Sequence, residues 1–140
     1  MIDLPTEKIK ASRINPKKII FFGKPKIGKS TAISNLDNCL ILDLEGGTNY
    51  LDALKIDIKK ISEEQGVEPI KVLKEVIDKI KIANKEKGSF VYQYGAIDTI
   101  SILEEMVMPI ALSLYKKTTQ GRNFQGENVL DLPNGAGYQY

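Results

Sequence analysis

The chain has 140 residues, 42% of them hydrophobic, and Lys+Arg 20 against Asp+Glu 18 leaves a formal charge of +2. That length suits one domain with a real core, and so balanced a charge excludes bulk electrostatics as a nucleic-acid signal while leaving a local basic face open. A single cysteine, Cys39, excludes an internal disulfide or a thiolate metal cluster, and without histidine any metal must use oxygen ligands.

Residues 1–16 are polar, punctuated by Pro5 and Pro16, and read as an N-terminal arm with no signal-peptide core. "KIIFF" (18–22) is a continuous apolar run, predicted as a strand covered on both faces. "GKPKIGKS" (23–30) follows as a glycine-rich loop, and "KSTAISNL" (29–36) as a short helix. "CLILDLEGG" (39–47) is predicted as a second strand ending in acids and a Gly-Gly break. "LDALKIDIKKIS" (51–62) alternates imperfectly and reads as a helical turn and a short strand.

From Glu68 onward the pattern is helical: Pro69 suits a first helical position, Leu73, Val76, Ile77 and Ile80 recur at helical spacing, and Gly88 stops the run. "FVYQYGAID" (90–98) has strand composition, and "TISILEEMVMPIALSLYKK" (99–117) is predicted helical with a kink at Pro109. The glycine-rich remainder, 118–140, reads as a loop or mobile segment. The order of strands and helices predicts an α/β domain with a mostly parallel sheet, its core spanning 17–117. The longest apolar-rich run, 106–115, falls short of the roughly 20 residues that a membrane helix needs, so a soluble, cytoplasmic protein is expected.

Gly23, Gly28, Lys29 and Ser30 match G-x-x-x-x-G-K-[ST] between a predicted strand and a predicted helix, the context that a phosphate-binding loop requires. By the chain's own composition a chance match has a probability of roughly one per cent. Glycines let successive backbone N–H groups turn inward on a phosphate, and the start of a helix adds partial positive charge. Lys29 would reach the β- and γ-phosphates and the Ser30 hydroxyl would hold Mg²⁺. Lys24 and Lys26 add field at the phosphates or are simply solvated.

Hydrolysis also needs a second metal ligand and an oriented water. Asp98, ending "YGAID", should emerge at the carboxyl edge of a strand and hold the metal, its plain alternative being to cap the helix that follows. Glu45, ending "LILDLE", is the candidate to accept a proton from the attacking water, with Asp43 an equal competitor; Gly46 and Gly47 beside Glu45 favour it.

With these residues placed, the chain resembles the RecA-like P-loop ATPases, and within them the compact phage-type NTP-binding proteins of recombination and single-strand annealing. The matching segments are "FFGKPKIGKST" as Walker A, "LILDLEGGTNYLD" as the strand bearing the catalytic carboxylate, and "YGAIDTISILEEM" as Walker B. The resemblance implies a three-layer core and a loop of Gly23, Lys24, Pro25, Lys26, Ile27, Gly28, Lys29, Ser30 and Thr31 that binds ATP. It also implies Mg²⁺ on Ser30 and Asp98, catalysis by Glu45 and Lys29, and Thr99 beside the Walker B acid. A homo-oligomer with single-stranded DNA or phage recombination proteins as partners would follow. Gly95 and Tyr94 depart from the usual aliphatic run, and the core is expected to be C-terminally incomplete, with residues 118–140 leading into the rest.

The resulting expectation is an Mg²⁺-dependent ATPase coupled to DNA recombination or single-strand handling. Alternatives are a nucleotide-binding DNA-interaction module with little turnover, or a small-molecule or nucleotide kinase, for which Arg13 and Arg122 are a thin supply of phosphate clamps. Tyr50 is a candidate for stacking on the base, and "TTQGRNF" (118–124) for contacting single strands or for remaining an unpartnered loop.

Overall fold

Five consecutive buried residues, Cys39–Asp43, form β1, the middle strand of a three-stranded parallel sheet. The structure is a computed structural model and describes residues 18–132, so the readings of the N-terminal arm and of 133–140 lie outside the described residues. β2 is Leu54–Asp57 and β3 is Tyr94–Asp98. An apolar strand of this kind, flanked by neighbours on both edges, is what a parallel sheet requires. The α/β class with a parallel sheet is as the sequence indicates.

Alternation along β1 divides its side chains between two faces. Leu40, Leu42 and Leu44 form one core with Ile58 of α2 (Ile58–Gln65) and with Val72 and Leu73 of α3 (Pro69–Lys87). Ile102, Leu103 and Met106 of α4 (Ile100–Lys116) pack on the same cluster. The short α1 (Lys29–Ser34) also contacts β1.

α3 begins with Pro69 at its first turn and ends at Gly88, whose φ of 68° is the left-handed cap that glycine adopts without steric cost. α4 runs through Pro109 to Lys116. α2 is a correction, because 51–62 shows no helix signal beyond one turn. It forms because the Asp57 side chain accepts from Lys60 N–H at 2.8 Å and Gly66, φ 64°, ends it, with Ile58 fully buried beneath.

A second correction concerns 18–22, which form no strand. A covered strand needs a sheet neighbour, and the β2-β1-β3 sheet pairs with no fourth strand among the described residues. The run is exposed, with Ile20 at 85% and Phe22 at 98%. Residues 118–132 carry more structure than their composition suggests: 3-10 turns at Gly121–Asn123 and Val129–Asp131 bring Val129 and Leu132 into a small cluster with Ala111 of α4. Tyr115 and Phe124 add an edge-to-face ring contact, centroids 5.6 Å apart. No described helix is long and apolar enough to cross a membrane.

Candidate functional site

Parallel register sets three aspartates in one row at the carboxyl edge of the sheet. Asp43 aligns with Asp57 of β2 on one side and with Asp98 of β3 on the other. Each takes a different partner. Asp57 caps α2, as described. Asp98 Oδ2 accepts from the Ser30 hydroxyl at 2.6 Å, across a sequence separation of 68 residues. Asp98 does not cap α4, whose N-cap position is Thr99; the Asp98-Thr99 peptide bond is cis.

The loop Gly23–Ser30 therefore lies against the end of β3. Gly28 sits at φ 91° immediately before α1, a left-handed turn that an L side chain would strain. Lys26 also adopts positive φ, at 65°. A Cβ on Gly23 would meet the tip of the exposed Ile27 side chain, which can turn aside, so the backbone's demand for glycine falls on Gly28. Lys29 Nζ donates to the carbonyls of Gly23 and Lys24, each at 3.0 Å, and so spans the loop from its helical end to its start. Lys24, Pro25, Lys26, Ile27 and Thr31 are exposed along the same loop.

Mg²⁺ favours hard oxygen ligands, typically one or two carboxylates with water and substrate phosphates completing the shell. The convergence of the Ser30 hydroxyl and the Asp98 carboxylate fits that pattern, and these two residues would hold the ion. Among the described residues no cluster of three or more His, Cys, Asp or Glu side chains offers an all-protein metal cage.

The turn after β1 is built around Asp43, which is 0% exposed. Its Oδ1 accepts from the N–H groups of Glu45 (3.1 Å), Gly46 (2.7 Å) and Gly47 (3.3 Å). Its Oδ2 accepts from Thr48 N–H at 2.9 Å and from the Thr48 hydroxyl at 2.5 Å. Burial pushes the Asp43 carboxyl up, but the Thr48 hydroxyl and the amides of Thr48, Gly46 and Glu45 outweigh it and hold the group below its ordinary value. Lys55 of β2 closes the far side, its Nζ donating to the carbonyls of Thr48 and Leu51. Glu45 projects from this turn and is exposed, and Tyr50 is 97% exposed.

Leu44 N–H donates to the Asp98 carbonyl at 2.7 Å, so the Glu45 turn and the Ser30–Asp98 pair share one edge of the sheet. Thr48 and Lys55 were not singled out by sequence reasoning. The legible signal was an Asp followed by two glycines and a Thr, a pattern suited to a side chain that folds back on its own amides. Elsewhere, Lys71, Lys79 and Lys81 of α3 each pair with an acid on, or just before, the same helix, so their charge is largely answered locally.

A family model described as an AAA domain matches residues 15–140. No curated protein and no solved structure matches the chain.

Proposed function

Since the chain belongs to the AAA-domain family, whose P-loop domains are nucleotide-binding ATPases, we propose that Gly23–Thr31, Asp98 and Glu45 form an Mg·ATP hydrolysis site. The observation that carries this reading is the 2.6 Å contact between Ser30 Oγ and Asp98 Oδ2, which joins the phosphate loop to the end of β3. An Mg²⁺ ion held there supplies charge neutralisation for the phosphate oxygens.

The chain's own residues do the rest. Lys29 exchanges its two loop carbonyls for the terminal phosphates, a gain because anionic oxygens accept from an ammonium more strongly than neutral carbonyls do. Gly28 lets the backbone approach the phosphates closely. Glu45, exposed at the same sheet edge, orients a water and accepts its proton. Asp43 is poorly suited to that role, since its oxygens already serve five donors and water cannot reach them.

We carry the RecA-like, phage-type assignment as the finer part of the same proposal. Its support is the order of the three motifs, and it brings a homo-oligomer and single-stranded DNA or recombination proteins as partners. The test is phosphate release from Mg·ATP by the full chain, with and without single-stranded DNA, for the parent and for Glu45→Gln. Release that Glu45→Gln removes while ATP binding persists is the expected result, and stimulation by DNA supports the finer assignment. Tight ATP binding without release in the parent would overturn the hydrolytic part.

A further inference from the structure

The Glu45 turn ought to be among the looser parts of this molecule. It contains Gly46 at φ 82° followed by Gly47, and glycines lose more conformational freedom on ordering than any other residue. It is instead fastened from both sides. Asp43, at the end of β1, collects the N–H groups of residues 45, 46, 47 and 48 and the Thr48 hydroxyl. Lys55, in β2, binds the carbonyls of Thr48 and Leu51. Thr48 is common to both clamps and is 0% exposed, as is Asp43.

We propose that Asp43, acting through Thr48 and the amides of the turn, is a positioning residue that fixes where the Glu45 carboxylate stands relative to the Ser30–Asp98 pair. This rests on the reading of Glu45 as the group that orients water. A carboxylate accepts at about four lone-pair sites, and five donors saturate Asp43, so it has no capacity left for a substrate or a water. What it does control is the backbone of Glu45, whose own N–H is one of those five donors. Displacing a reacting group by about 1 Å can cost on the order of 100-fold in rate. Loosening this turn should therefore slow turnover and leave nucleotide affinity, which depends on the loop at 23–31, nearly unchanged.

The test uses the full chain and measures the Kd of a fluorescent ATP analogue with Mg²⁺ alongside single-turnover hydrolysis at saturating Mg·ATP. Asp43→Asn should lower the rate constant about tenfold or more with Kd within about twofold of the parent. Thr48→Val should show the same split to a lesser degree, and Thr48→Ser, which keeps the hydroxyl, should restore it. Combining Asp43→Asn with Glu45→Gln should slow hydrolysis no further than Glu45→Gln alone, because both changes act through one carboxylate.

If Asp43→Asn is unfolded at the assay temperature, the Thr48→Val and Thr48→Ser pair decides by the same criteria. Parental turnover in the Asp43 and Thr48 variants, with Glu45→Gln inactive, overturns the positioning role alone. A loss of affinity as large as the loss of rate overturns it too, by marking the effect as general damage. Parental turnover in Glu45→Gln overturns the reading of Glu45 itself, and the positioning role with it.

Discussion

Lys29 closes its own loop in the free protein, and the proposed site would turn the same ammonium to a phosphate. Its ammonium bridges the carbonyls of Gly23 and Lys24 at 3.0 Å each, the first bond part-buried and the second exposed, where such bonds contribute little net stability. Phosphates would gain far more from the same cation. Lys29→Ala should therefore weaken Mg·ATP binding about 100-fold, roughly 3 kcal/mol, by isothermal calorimetry, with little change in the melting temperature of the free protein. Asp43 behaves in the opposite manner, because its partners are all internal. Asparagine there offers one oxygen and turns an N–H₂ toward other donors, which should cost about 1–3 kcal/mol in urea unfolding at pH 7. The acid limb tests the charge directly. A carboxyl held below its ordinary value stabilises the fold above that value and ceases to do so as pH falls through the lowered one. The parent should thus lose stability on acidification below about pH 4 more steeply than Asp43→Asn does, and equal slopes would show that the five donors do not favour the charged form.

At the scale of elements, 118–132 is the segment whose composition says least about its structure. Gly121 is buried, and a Cβ there would press on the carbonyl carbon of Tyr115 at 2.6 Å, a backbone contact with no room to yield. Gly121→Ala should open the first 3-10 turn, separate Phe124 from Tyr115, and speed limited proteolysis within 118–128, while Mg·ATP affinity stays at the parental value. Unchanged proteolysis would mean that the turn is not what holds this segment to α4. Two glycines and sparse apolar residues hide that arrangement, since Val129 and Leu132, with Phe124 packed against them, dock it on α4. Other elements are plain in the sequence: β1 reads as four consecutive apolar residues closed by Asp43, all of them buried, and α3 carries its own start and stop in Pro69 and Gly88. α2 is hidden because Ile56, Ile58 and Ile61 fit a strand nearly as well as a helix, and only the Asp57 cap and Gly66 decide. The run 18–22 misleads for a different reason: apolar composition reports what a segment prefers to bury, and the neighbour that would bury it is a property of the sheet. In the candidate site, the loop glycines can be read from their spacing and Asp98 from its place at the end of an apolar run, whereas the contact between Ser30 and Asp98 is a property of the fold. Which of Asp43 and Glu45 is buried and which exposed is not legible, because it depends on which carboxylate the Gly-Gly turn folds back upon.

For the molecule as a whole, the loop at 23–30 is tied to the sheet, among the described residues, through α1 against β1 and through the Ser30–Asp98 hydrogen bond that spans 68 residues of sequence. A ligand that bound Lys29 and Ser30 on one side and Asp98 on the other would strengthen that long-range contact. Binding to the folded state alone then stabilises it by mass action, about 2.7 kcal/mol when ATP stands at 100 times its Kd. For a chain of this size that shift corresponds to a rise in melting temperature on the order of 10 °C. Most of the rise should require magnesium and be lost with EDTA, because the Ser30–Asp98 pair offers oxygen ligands that attract the ion rather than the negatively charged phosphates. Asp98→Asn should abolish most of the magnesium-dependent part while leaving a smaller, metal-independent shift from Lys29 and the loop amides. An Asp98→Asn protein that melted with the full parental increment would separate the end of β3 from nucleotide binding, and the metal assignment would have to move to another oxygen at the sheet edge.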